Sequence, residues 1–571
     1  MAKTGRMHRS RWALRTLVLL AITALLALPA SAGASGGTGN QIATYNGGFT
    51  AAQRANLYQI AKDTWKFYQA DTSTPTNLPL DNVGFNGAPA QGQYTSAANI
   101  GVYLWAVVSA MDLSIISRAQ ARSLLTTELN AVSGLQKFDG FLYQWYSTTT
   151  GHVIKGPPNN VDCSTDTNPQ FGDVCIQISQ VDNGWYASGL IIVRQALPEL
   201  RGVVDGLLNP MNFGIFYDNG PETSCNVYYN ASNPSDPYNY QPTGQEYGVY
   251  FVGYPPSQNE NRYYHNGAQY SDPRISQYIG MGLHQMPGNV WWRSWRTLPP
   301  KAPYDNCQAT DPDFSWQGQW PVAGSWQDYT DPQSGQVFHV WEGHYVYPGD
   351  SSLTFVPTWA GGMFEGEMAN LVVPETSWGT HSYGLNDLRW AQVQVKYATQ
   401  KLGYPVWGMS PSSTPDDTGN YQAYGATGLA WPYSNTPRTG LSQCYECSGP
   451  DMESAITPHA SFIALDVLPQ EAYTNIQALR ANYPDVYGPY GFFDAVAPNA
   501  YTYTQYPNGV QTNYSVSAGQ VGHRYLVLDQ SMIMAGLDNA LNNRQLQRYF
   551  ARDSVSWAAQ TYLSMETMSI H

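Results

Sequence analysis

Helical segments of two kinds alternate along this chain. Residues 95–113 ("TSAANIGVYLWAVVSAMDL") and 181–197 are apolar on nearly every side, whereas 50–69 and 117–135 repeat apolar residues at intervals of three and four. A helix that is apolar all round must be buried, and an amphipathic helix covers a core with one face. Two concentric layers of helices satisfy both patterns. We therefore expect an all-α fold in which 95–113 and 181–197 are inner helices.

Helix start signals support this interpretation. Gln53 follows Thr50 by three residues, and Gln120 follows Ser117 at the same spacing, which is the spacing of a capping box. A further helix is expected over 386–403, where a glycine ends the periodic pattern. Strand alternation is rare and no strand–helix repeat occurs, which argues against a parallel sheet.

The first 32 residues have the three parts of a secretion signal peptide. Basic residues up to Arg15 precede a short apolar core, and Ala30–Ala32 offers a small-residue cleavage site. We expect a secreted, extracellular protein, with 33–48 as a flexible leader and 49–571 as one domain. No later apolar run reaches the roughly 18 residues that a membrane span requires. A monomer without a membrane span is expected.

Between about 209 and 349 the composition shifts toward Tyr, Pro, Gly and Asn. A compact domain seldom carries so long a loop-rich stretch unless it builds a binding surface. We expect this insertion to line the substrate cleft.

Six cysteines in an exported chain suggest up to three disulfides. The CYEC motif has no second such motif and no nearby histidine, which favours a loop staple over redox or zinc chemistry. The expected pairs are Cys163–Cys175, Cys444–Cys447 and Cys225–Cys307, the last of which the spacing alone does not establish.

Charge and composition exclude several classes of partner. The net charge of −14 argues against a phosphate-binding surface for nucleic acid. The 18 Trp and 42 Tyr residues favour a carbohydrate ligand, because flat rings stack on sugars as well as packing cores. The catalytic domain lacks HExxH, GxSxG and phosphate-loop motifs, and its histidines show no ligand spacing. No metal ion or other cofactor is expected.

What remains is a set of acids in aromatic or apolar surroundings: Asp182, Glu365, Asp494 and Asp529. Glu365 follows "GGMF" in a run that otherwise suits burial. A half-buried Glu can hold its proton near neutral pH, as a general acid must. The alternative is an acid in the first turn of a helix, where the helix dipole favours it.

Several stretches together resemble one family, in order along nearly the whole chain after the signal peptide. They include "TSAANIGVYLWAVVSAMDLSIIS", "ISQVDNGWYASGLI", "YSDPRISQYIGMGLHQMP", "GGMFEGEM", "YGFFDAV" and "YLVLDQSMIMAGLDNAL". The order resembles that of the glucoamylase-like superfamily, which includes secreted endo-β-1,2-glucanases and a domain of cyclic β-1,2-glucan synthases. Each stretch alone is a weak match, and the shared order carries the resemblance.

The resemblance implies an (α/α)6 barrel with substrate in a cleft at one end, and hydrolysis of β-1,2-glucan with inversion. Glu365 matches the family's general acid, in its MFEY-like motif. Asp529 matches the Asp of its DQGP-like motif, which accepts the proton of water through a substrate hydroxyl. The implied substrate-binding residues are Asp182 and Arg274, which line or support the cleft, and the aromatic Trp185, Trp407, Tyr421 and Phe493.

Three positions depart from the family pattern. Gly366 replaces an aromatic residue, Ser531 replaces Gly-Pro, and Asp272 stands where Glu is usual. These departures indicate a divergent branch and leave the glycan and its linkage open. Structural roles are the alternatives for individual residues: a helix cap for Asp182, a buried acceptor for Asp529, an internal ion pair for Arg274, core or rim positions for His459 and His523, and the core for Trp105.

The first expectation is therefore a secreted, inverting glycoside hydrolase on β-1,2-glucan that needs no cofactor. The same barrel acting on another glycan, a transglycosylase and a glycan-binding protein without catalysis are the alternatives. Retention of both Glu365 and Asp529 favours an enzyme. A polysaccharide lyase would need a basic cleft, which the acidic balance disfavours.

Overall fold

The computed structural model describes residues 42–84, 93–157, 160–166, 168–170, 172–219, 244–253, 262–297, 322–426, 429, 450–505 and 510–570. They belong to one compact unit. The expected signal peptide and most of the leader lie outside this set, as do Cys225, Cys307, Cys444 and Cys447. Within it, no helix has the length and apolar character needed to cross a membrane.

Helices dominate the described part of the chain, in agreement with the expected all-α class. They are α1 (Ala51–Asp71), α2 (Ala97–Asp112), α3 (Arg118–Gly134), α4 (Gln180–Ala196), α5 (Arg201–Leu208), α6 (Arg274–Gly282), α7 (Asn289–Arg293), α8 (Met363–Glu367), α9 (Glu375–Trp378), α10 (Tyr383–Lys396), α11 (Pro458–Ile463), α12 (Pro469–Asn482), α13 (Val527–Leu541), α14 (Gln545–Arg552) and α15 (Ser556–Met565).

Six of these helices follow one another around a ring. α2 packs against α4, α4 against α6, α8 against α11, α11 against α13, and α13 back against α2. Arg274 connects α6 to α8 by donating hydrogen bonds to the backbone oxygens of Glu365 (3.2 Å) and Gly366 (2.6 Å). The expected inner helices, α2 and α4, are both in this ring.

Glycines let α2 and α4 approach closely. A Cβ on Gly101 would lie 2.4 Å from the backbone oxygen of Trp185, and one on Gly189 would lie 2.3 Å from the backbone oxygen of Gly101. A side chain at either position would force the two helices apart. The apolar sequence of α2 is thereby explained, since it is buried from Ala97 to Ala110.

Amphipathic helices pack on the outside of the ring. α1 contacts α13 and α2, and α3 contacts α2 and α5. The capping boxes expected at Thr50 and Ser117 are both present. The helix expected over 386–403 begins earlier, at Tyr383, and Asn386 inside it bonds the backbone of Val356 instead of capping.

Small antiparallel sheets connect the helices. Their strands are β1 (Asn82–Gly84), β2 (Tyr94–Ser96), β3 (Lys137–Phe138), β4 (Phe141–Leu142), β5 (Trp145–Ser147), β6 (Gln177–Ser179), β7 (Tyr247–Phe251), β8 (Arg262–His265), β9 (Val322–Thr330), β10 (Val337–Val346), β11 (Thr354–Phe355), β12 (Ser412–Ser413), β13 (Tyr421–Gln422), β14 (Tyr487–Gly488), β15 (Gly491–Phe492), β16 (Ala495–Val496), β17 (Tyr501–Gln505), β18 (Thr512–Val516), β19 (Val521–Gly522) and β20 (Arg524–Leu526). β6–β7–β8 and β11–β10–β9 form three-stranded sheets, and the other strands pair in twos.

Two of these two-stranded sheets join segments distant in sequence at the ring, and a third is a local hairpin. β1 pairs with β20 through Asn82 and Leu526, β2 pairs with β5, and β12 pairs with β13. β2 leads directly into α2, and β20 leads directly into α13. The pairings therefore gather several loops around the first turns of these two ring helices.

The 209–349 region is more ordered than its composition suggests. Its described residues include β7–β10, α7 and the ring helix α6. The expectation of an irregular insertion is therefore wrong for these parts, because α6 is integral to the ring. The structure does not describe residues 220–243, 254–261 and 298–321. That the insertion lines the substrate cleft therefore stays a prediction.

The expected disulfide between Cys163 and Cys175 is present, with an S–S distance of 2.01 Å. It closes a loop that Lys155 also holds, through ion pairs to Asp166 (2.8 Å) and Asp173 (3.1 Å). This covalent link fixes the segment that leads into β6 and α4.

Candidate active site

A cleft of about 620 Å³ opens where the ring helices α2, α4 and α13 begin. Short strands before two of these helices and the loop around β12 and β13 complete its wall. Its polar and aromatic lining includes Asp81, Tyr94, Trp145, Asp182, Tyr421 and Arg524. A cleft of this size with a few convergent polar groups suits a small-molecule or oligosaccharide ligand.

Two carboxylates on one wall are held by neutral amides and a phenol. Asp81 accepts hydrogen bonds from the side chains of Asn99 (2.8 Å), Asn82 (2.8 Å) and Tyr94 (3.1 Å). Asp182 accepts one from Gln144 (3.0 Å).

Asp182 is in the first turn of α4, where burial raises its pKa against the opposing hydrogen bonds of Ser179 and Gln144. Its predicted place in the cleft is observed. Although it lies in the first turn, Asp182 is not the cap itself, because the residue that caps α4 is Ser179, whose hydroxyl accepts the backbone N–H of Asp182 (3.2 Å).

Tyr421 is the predicted aromatic residue that faces the cleft. Its side chain is 46% exposed, yet it stands within the concave wall. Enclosure there, followed by the charges of Asp529, Asp494, Asp81 and Asp272, raises the pKa of its phenol well above the ordinary value. The charges of four carboxyl groups therefore act on one tyrosine.

A buried triad of titratable side chains lies behind this tyrosine. Asp529 comes from the first turn of α13, Asp494 from between β15 and β16, and His459 from the first turn of α11. Each is at most 2% exposed. His459 Nδ1 lies 3.1 Å from Asp529 Oδ2, without the alignment of a hydrogen bond. Asp494 Oδ2 accepts the backbone N–H (2.6 Å) and the hydroxyl (2.7 Å) of Ser413.

Burial shifts the protonation of all three groups. It raises the pKa of Asp529 to about 7, with a hydrogen bond from Asp494 opposing that rise. It raises the pKa of Asp494 well above the ordinary value, and the adjacent Asp529 raises it further. It lowers the pKa of His459 to about 4, so this ring is neutral at neutral pH. The triad thus keeps one of its carboxyl groups protonated.

Glu365 has polar surroundings, unlike the apolar ones that were expected. Its Oε2 accepts the hydroxyl of Thr358 (3.1 Å) and the backbone N–H groups of Ala360 (3.0 Å) and Gly362 (3.0 Å), the last of which is the N-cap residue of α8. Donors of this kind favour the ionised form of a carboxyl group. The alternative interpretation, a first-turn helix acid, describes its contacts. Its role as the general acid stays a prediction.

Arg274 supports the site from inside the protein. It forms a two-pronged ion pair with Glu375, at 2.8 Å and 2.9 Å, and both side chains are fully buried. Its remaining N–H groups bond backbone oxygens, including that of Glu365 (3.2 Å). The prediction that Arg274 binds substrate is wrong in this structure, because its donors are directed at protein groups. Arg274 is instead one partner of an internal ion pair with Glu375.

Three of the predicted sugar-facing aromatics belong to the core. Trp185 is 3% exposed and packs edge-on against Trp105, Trp407 is 4% exposed, and Phe493 is 2% exposed and contacts Tyr525. Their rings are covered by protein on nearly all sides, so they cannot stack on a sugar in this structure. The core position expected for Trp105 is observed.

The cleft also contains residues that the sequence did not single out. Asp81, Trp145 and Arg524 carry no motif of their own, and the β1–β20 and β2–β5 pairings bring them to the cleft. Asp494 was noted as an acid among aromatics but had no assigned role. The signal that could have located it is its stretch "YGFFDAV", one of the family-like segments.

Two groups of potential metal ligands occur among the described residues. Asp166, Asp173 and Cys175 cluster closely, but the cysteine is in the disulfide and Lys155 pairs with both carboxylates. The triad of His459, Asp494 and Asp529 is also compact, and Asp494 Oδ2 already accepts the backbone N–H and the hydroxyl of Ser413.

Comparison with known proteins agrees with this picture. Residues 327–554 match a family model described as "Putative glucoamylase", and residues 59–219 match one described as a protein of unknown function (DUF3131). The cyclic beta-(1,2)-glucan synthase NdvB of Rhizobium meliloti (strain 1021) is 30% identical over 160 residues, which is 26% of this chain. The chain spans about 5% of the length of that relative.

Solved structures share the fold at low sequence identity. An endo-beta-1,2-glucanase from Chitinophaga pinensis has a TM-score of 0.56 and 14% identity, with 89% of this chain and 98% of that one covered. A glucoamylase-like protein from Bacteroides fragilis NCTC 9343 has a TM-score of 0.55 and 17% identity, covering 92% and 98%. An endo-beta-1,2-glucanase from Talaromyces funiculosus has a TM-score of 0.51 and 11% identity, covering 90% and 92%.

At these identities the structural likeness establishes the fold alone. The family-model match is independent evidence from sequence. It covers residues 327–554, a range that contains Glu365, Asp494 and Asp529. The expected resemblance is confirmed: residues 327–554 match a glucoamylase-like family model, and the fold of the chain is shared with solved endo-β-1,2-glucanases.

Proposed function

We propose that the protein is a secreted glycoside hydrolase that cleaves β-1,2-glucan with inversion, and that its ring of helices is an (α/α)6 barrel. The observation that carries the proposal is the acid group around Tyr421. Asp529 and Asp494 are buried next to Leu528 and Ser413, which line a polar, aromatic cleft, and burial raises the pKa of Asp529 to about 7. A carboxyl group that titrates near neutral pH beside a cleft is suited to accept a proton during glycoside hydrolysis.

In this mechanism Asp529 is the base. Above its pKa of about 7 it is ionised and can take a proton from water through a sugar hydroxyl. A second carboxyl group donates a proton to the glycosidic oxygen as the bond to the anomeric carbon breaks. The oxygen of water forms the new bond from the opposite face, so the product is a reducing sugar of inverted configuration.

Two carboxyl groups compete for the role of acid. Glu365 is the one that the family motif predicts, and its Oε2 accepts three donors. Asp272 is half-buried, precedes the ring helix α6, and lies near enough to Tyr421 for its charge to act on the phenol. We retain Glu365 as the proposed acid and use Asp272 as the matched comparison.

The two candidates are separated by neutral isosteres. Glu365→Gln should lower turnover by about 10²–10⁴-fold while substrate binding survives, the loss typical of a removed general acid. Asp272→Asn should then retain most of the turnover. If the larger loss occurs in Asp272→Asn, the acid is Asp272, and the contacts of Glu365 are structural.

The function itself is tested with purified protein that lacks residues 1–32. Incubation with linear β-1,2-glucan should release reducing ends without the ultraviolet absorbance of an unsaturated lyase product. Proton NMR of the first product should show the α-anomer. β-1,3- and β-1,4-glucans, arabinans and mannans serve as controls. Release of reducing ends only from one of these control glycans would overturn the proposed linkage.

A further inference from the structure

Buried polar atoms without hydrogen-bond partners are concentrated in the triad of His459, Asp494 and Asp529. Both ring nitrogens of His459, both carboxylate oxygens of Asp529 and Oδ1 of Asp494 are buried and have no hydrogen-bond partner among the described residues. Each of these side chains is at most 2% exposed. A polar group buried without a partner is unfavourable, and native proteins rarely keep several of them in one place. A ligand that bonds these atoms would remove that cost.

The three side chains have the separation of ligands around one metal ion. One ligand atom from each lies within 4.8 Å of the other two. His459 Nδ1 is 3.1 Å from Asp529 Oδ2, without the alignment of a hydrogen bond. Ligand atoms at about 2.0–2.2 Å from a tetrahedral zinc ion are about 3.3–3.6 Å apart. The pair of His459 and Asp529 therefore has nearly the spacing that a shared ion requires.

The charge of the triad also suits a divalent cation. When ionised, its two carboxyl groups carry two negative charges. Among the described residues, no Lys or Arg forms an ion pair with Asp494 or Asp529. Buried charges in proteins are usually paired or coordinate a metal ion. A divalent cation would balance both carboxylates inside the protein.

Contacts between neighbouring segments fix the backbones that carry the ligands. α11, with His459 in its first turn, packs against α13. Ile456, just before α11, forms a backbone bridge with Val496, two residues beyond Asp494. Ser413 donates its backbone N–H and its hydroxyl to Asp494 Oδ2, at 2.6 Å and 2.7 Å, which leaves Oδ1 as the ligand atom. Hydrogen bonds of this kind orient metal-binding carboxylates.

The ligand set indicates the class of metal ion. One imidazole nitrogen with two carboxylate oxygens suits zinc and its neighbours in the first transition series, whereas Mg²⁺ and Ca²⁺ prefer oxygen ligands alone. Three protein ligands leave the fourth position of a tetrahedral zinc site for water. Ser413, which bonds Asp494, and Leu528, which precedes Asp529, line the cleft. The cleft is therefore the route by which an ion would arrive.

We propose that His459, Asp494 and Asp529 form a binding site for a divalent transition-metal ion of the zinc type, and that its occupancy inhibits the enzyme. The inhibition rests on the proposed function, and the site does not. An Asp529 oxygen whose lone pair is bound to the ion cannot accept a proton from water, so hydrolysis stops until the ion leaves. A proton held by either carboxyl group passes to the solvent when the ion binds.

The test measures the binding of Zn²⁺ to untagged protein that a chelator has freed of metal. Titration of the wild type should show one ion per chain and a rise in melting temperature, because an ion that binds the folded state stabilises it. His459→Gln and Asp494→Asn should each weaken binding by at least about 100-fold, since loss of a hydrogen bond to a metal ligand already costs about 10–100-fold. Ser413→Ala removes such a hydrogen bond and should weaken binding by about 10-fold.

His339→Gln is the matched control, because His339 is an exposed histidine that also lies beside a carboxylate, that of Asp328 (2.6 Å). It should bind Zn²⁺ as the wild type does. Circular dichroism checks the folding of each variant, and if His459→Gln does not fold, Asp494→Asn and Ser413→Ala still decide. Absence of binding to the wild type, or equal binding to the wild type and the folded ligand variants, would overturn the site.

Activity measurements separate the site from the proposed function. The metal-free protein should hydrolyse β-1,2-glucan, Zn²⁺ should abolish hydrolysis over the concentrations at which it binds, and a chelator should restore it. Binding of Zn²⁺ to a protein that hydrolyses no glucan in its metal-free form would overturn the function and support the site. Hydrolysis that continues unchanged at saturating Zn²⁺, or that requires Zn²⁺, would overturn the inhibition.

Discussion

Two buried clusters in this protein each hold two carboxyl groups, and they solve the same electrostatic problem differently. Behind the cleft, Asp494 and Asp529 face the neutral ring of His459. Elsewhere in the fold, Glu342 and Glu566 face Arg296, and all three side chains are fully buried. The guanidinium of Arg296 bonds Glu566 directly and lies 3.5 Å from Glu342.

The difference lies in what offsets the negative charge. Although burial opposes it, the charge of Arg296 lowers the pKa of Glu566, while burial and the charge of Glu566 raise that of Glu342 well above the ordinary value. One charge there is permanently paired. Behind the cleft, burial is the largest influence on Asp529 and raises its pKa to about 7. A buried carboxyl pair with a permanent cation is structural, and one without it is left able to exchange a proton.

The largest expected effect comes from breaking the cleft cluster. Asp529→Asn should lower kcat on β-1,2-glucan by about 10²–10⁴-fold, because the amide cannot accept a proton from water. The matched control is Glu342→Gln, which replaces a protonated carboxyl group by an amide far from the cleft and should leave kcat unchanged. Near wild-type kcat in folded Asp529→Asn would place the base elsewhere.

Breaking the other cluster should affect stability instead of chemistry. Arg296→Gln leaves Glu566 buried without its cation, which should lower the free energy of unfolding by about 3–5 kcal/mol. Urea unfolding of the variant and the wild type measures the difference. Asp529→Asn, which removes a buried acid, should cost far less in the same experiment. Equal losses in the two variants would abolish the distinction between the clusters.

Asp529 and Glu566, one from each cluster, should also respond to pH in opposite directions. The folded pKa of Asp529 is above its unfolded value, so its contribution to stability is complete below about pH 4 and is lost as pH rises through about 7. The folded pKa of Glu566 is below its unfolded value, so its contribution is lost as pH falls.

Melting temperatures between pH 3 and pH 9 test this difference. Asp529→Asn should flatten the decline between pH 4 and pH 7 and leave the acid side as in the wild type. A decline of unchanged slope in the variant would mean that Asp529 does not titrate there.

The smallest effect is expected at Tyr421. Tyr421→Phe keeps the ring that faces the cleft and removes a hydroxyl surrounded by carboxyl groups. We expect kcat/KM to fall about 2–10-fold, the worth of one hydrogen bond, with the ascending pH limb displaced slightly. Tyr421→Ala removes the ring as well and should raise KM more. Equal KM values in the two variants would show that the ring does not contact the sugar.

The sequence was most informative where local physics decides the structure. Thr50 and Ser117 begin their helices as the capping pattern predicts, because that pattern needs only neighbouring residues. α2 and α4 are apolar all round and therefore lie inside. Cys163 and Cys175 are near enough in sequence to pair.

The sequence was least informative about which way a side chain points on a buried helix and about pairs of residues far apart in the chain. Asp182 and Trp185 are three residues apart on α4, yet one lines the cleft and the other packs on Trp105. Periodicity shows that this helix is buried but not which part of it faces the cleft. Arg274 finds Glu375 101 positions away, a pairing that no local pattern contains.

Glu365 shows a third limit, which is set by the backbone. The turn before it needs Gly361 at φ +77°, where a Cβ would lie 2.1 Å from the backbone oxygen of Ala426. That turn directs the N–H groups of Ala360 and Gly362 at the carboxylate. Apolar neighbours in sequence therefore led to a polar environment in space.

The closure of the ring has a consequence for biosynthesis. α13 packs against α1 and α2, and the bond between Tyr68 and Ser531 spans 463 positions. A growing chain therefore exposes the apolar surface of α2 until nearly all of its length has been made, and contacts this distant in sequence form slowly. Asp529 arrives on that last inner helix. A chain truncated before α13 would lack both the helix that covers α2 and the proposed base. A nascent fragment could therefore not act on glucan before the whole domain is complete.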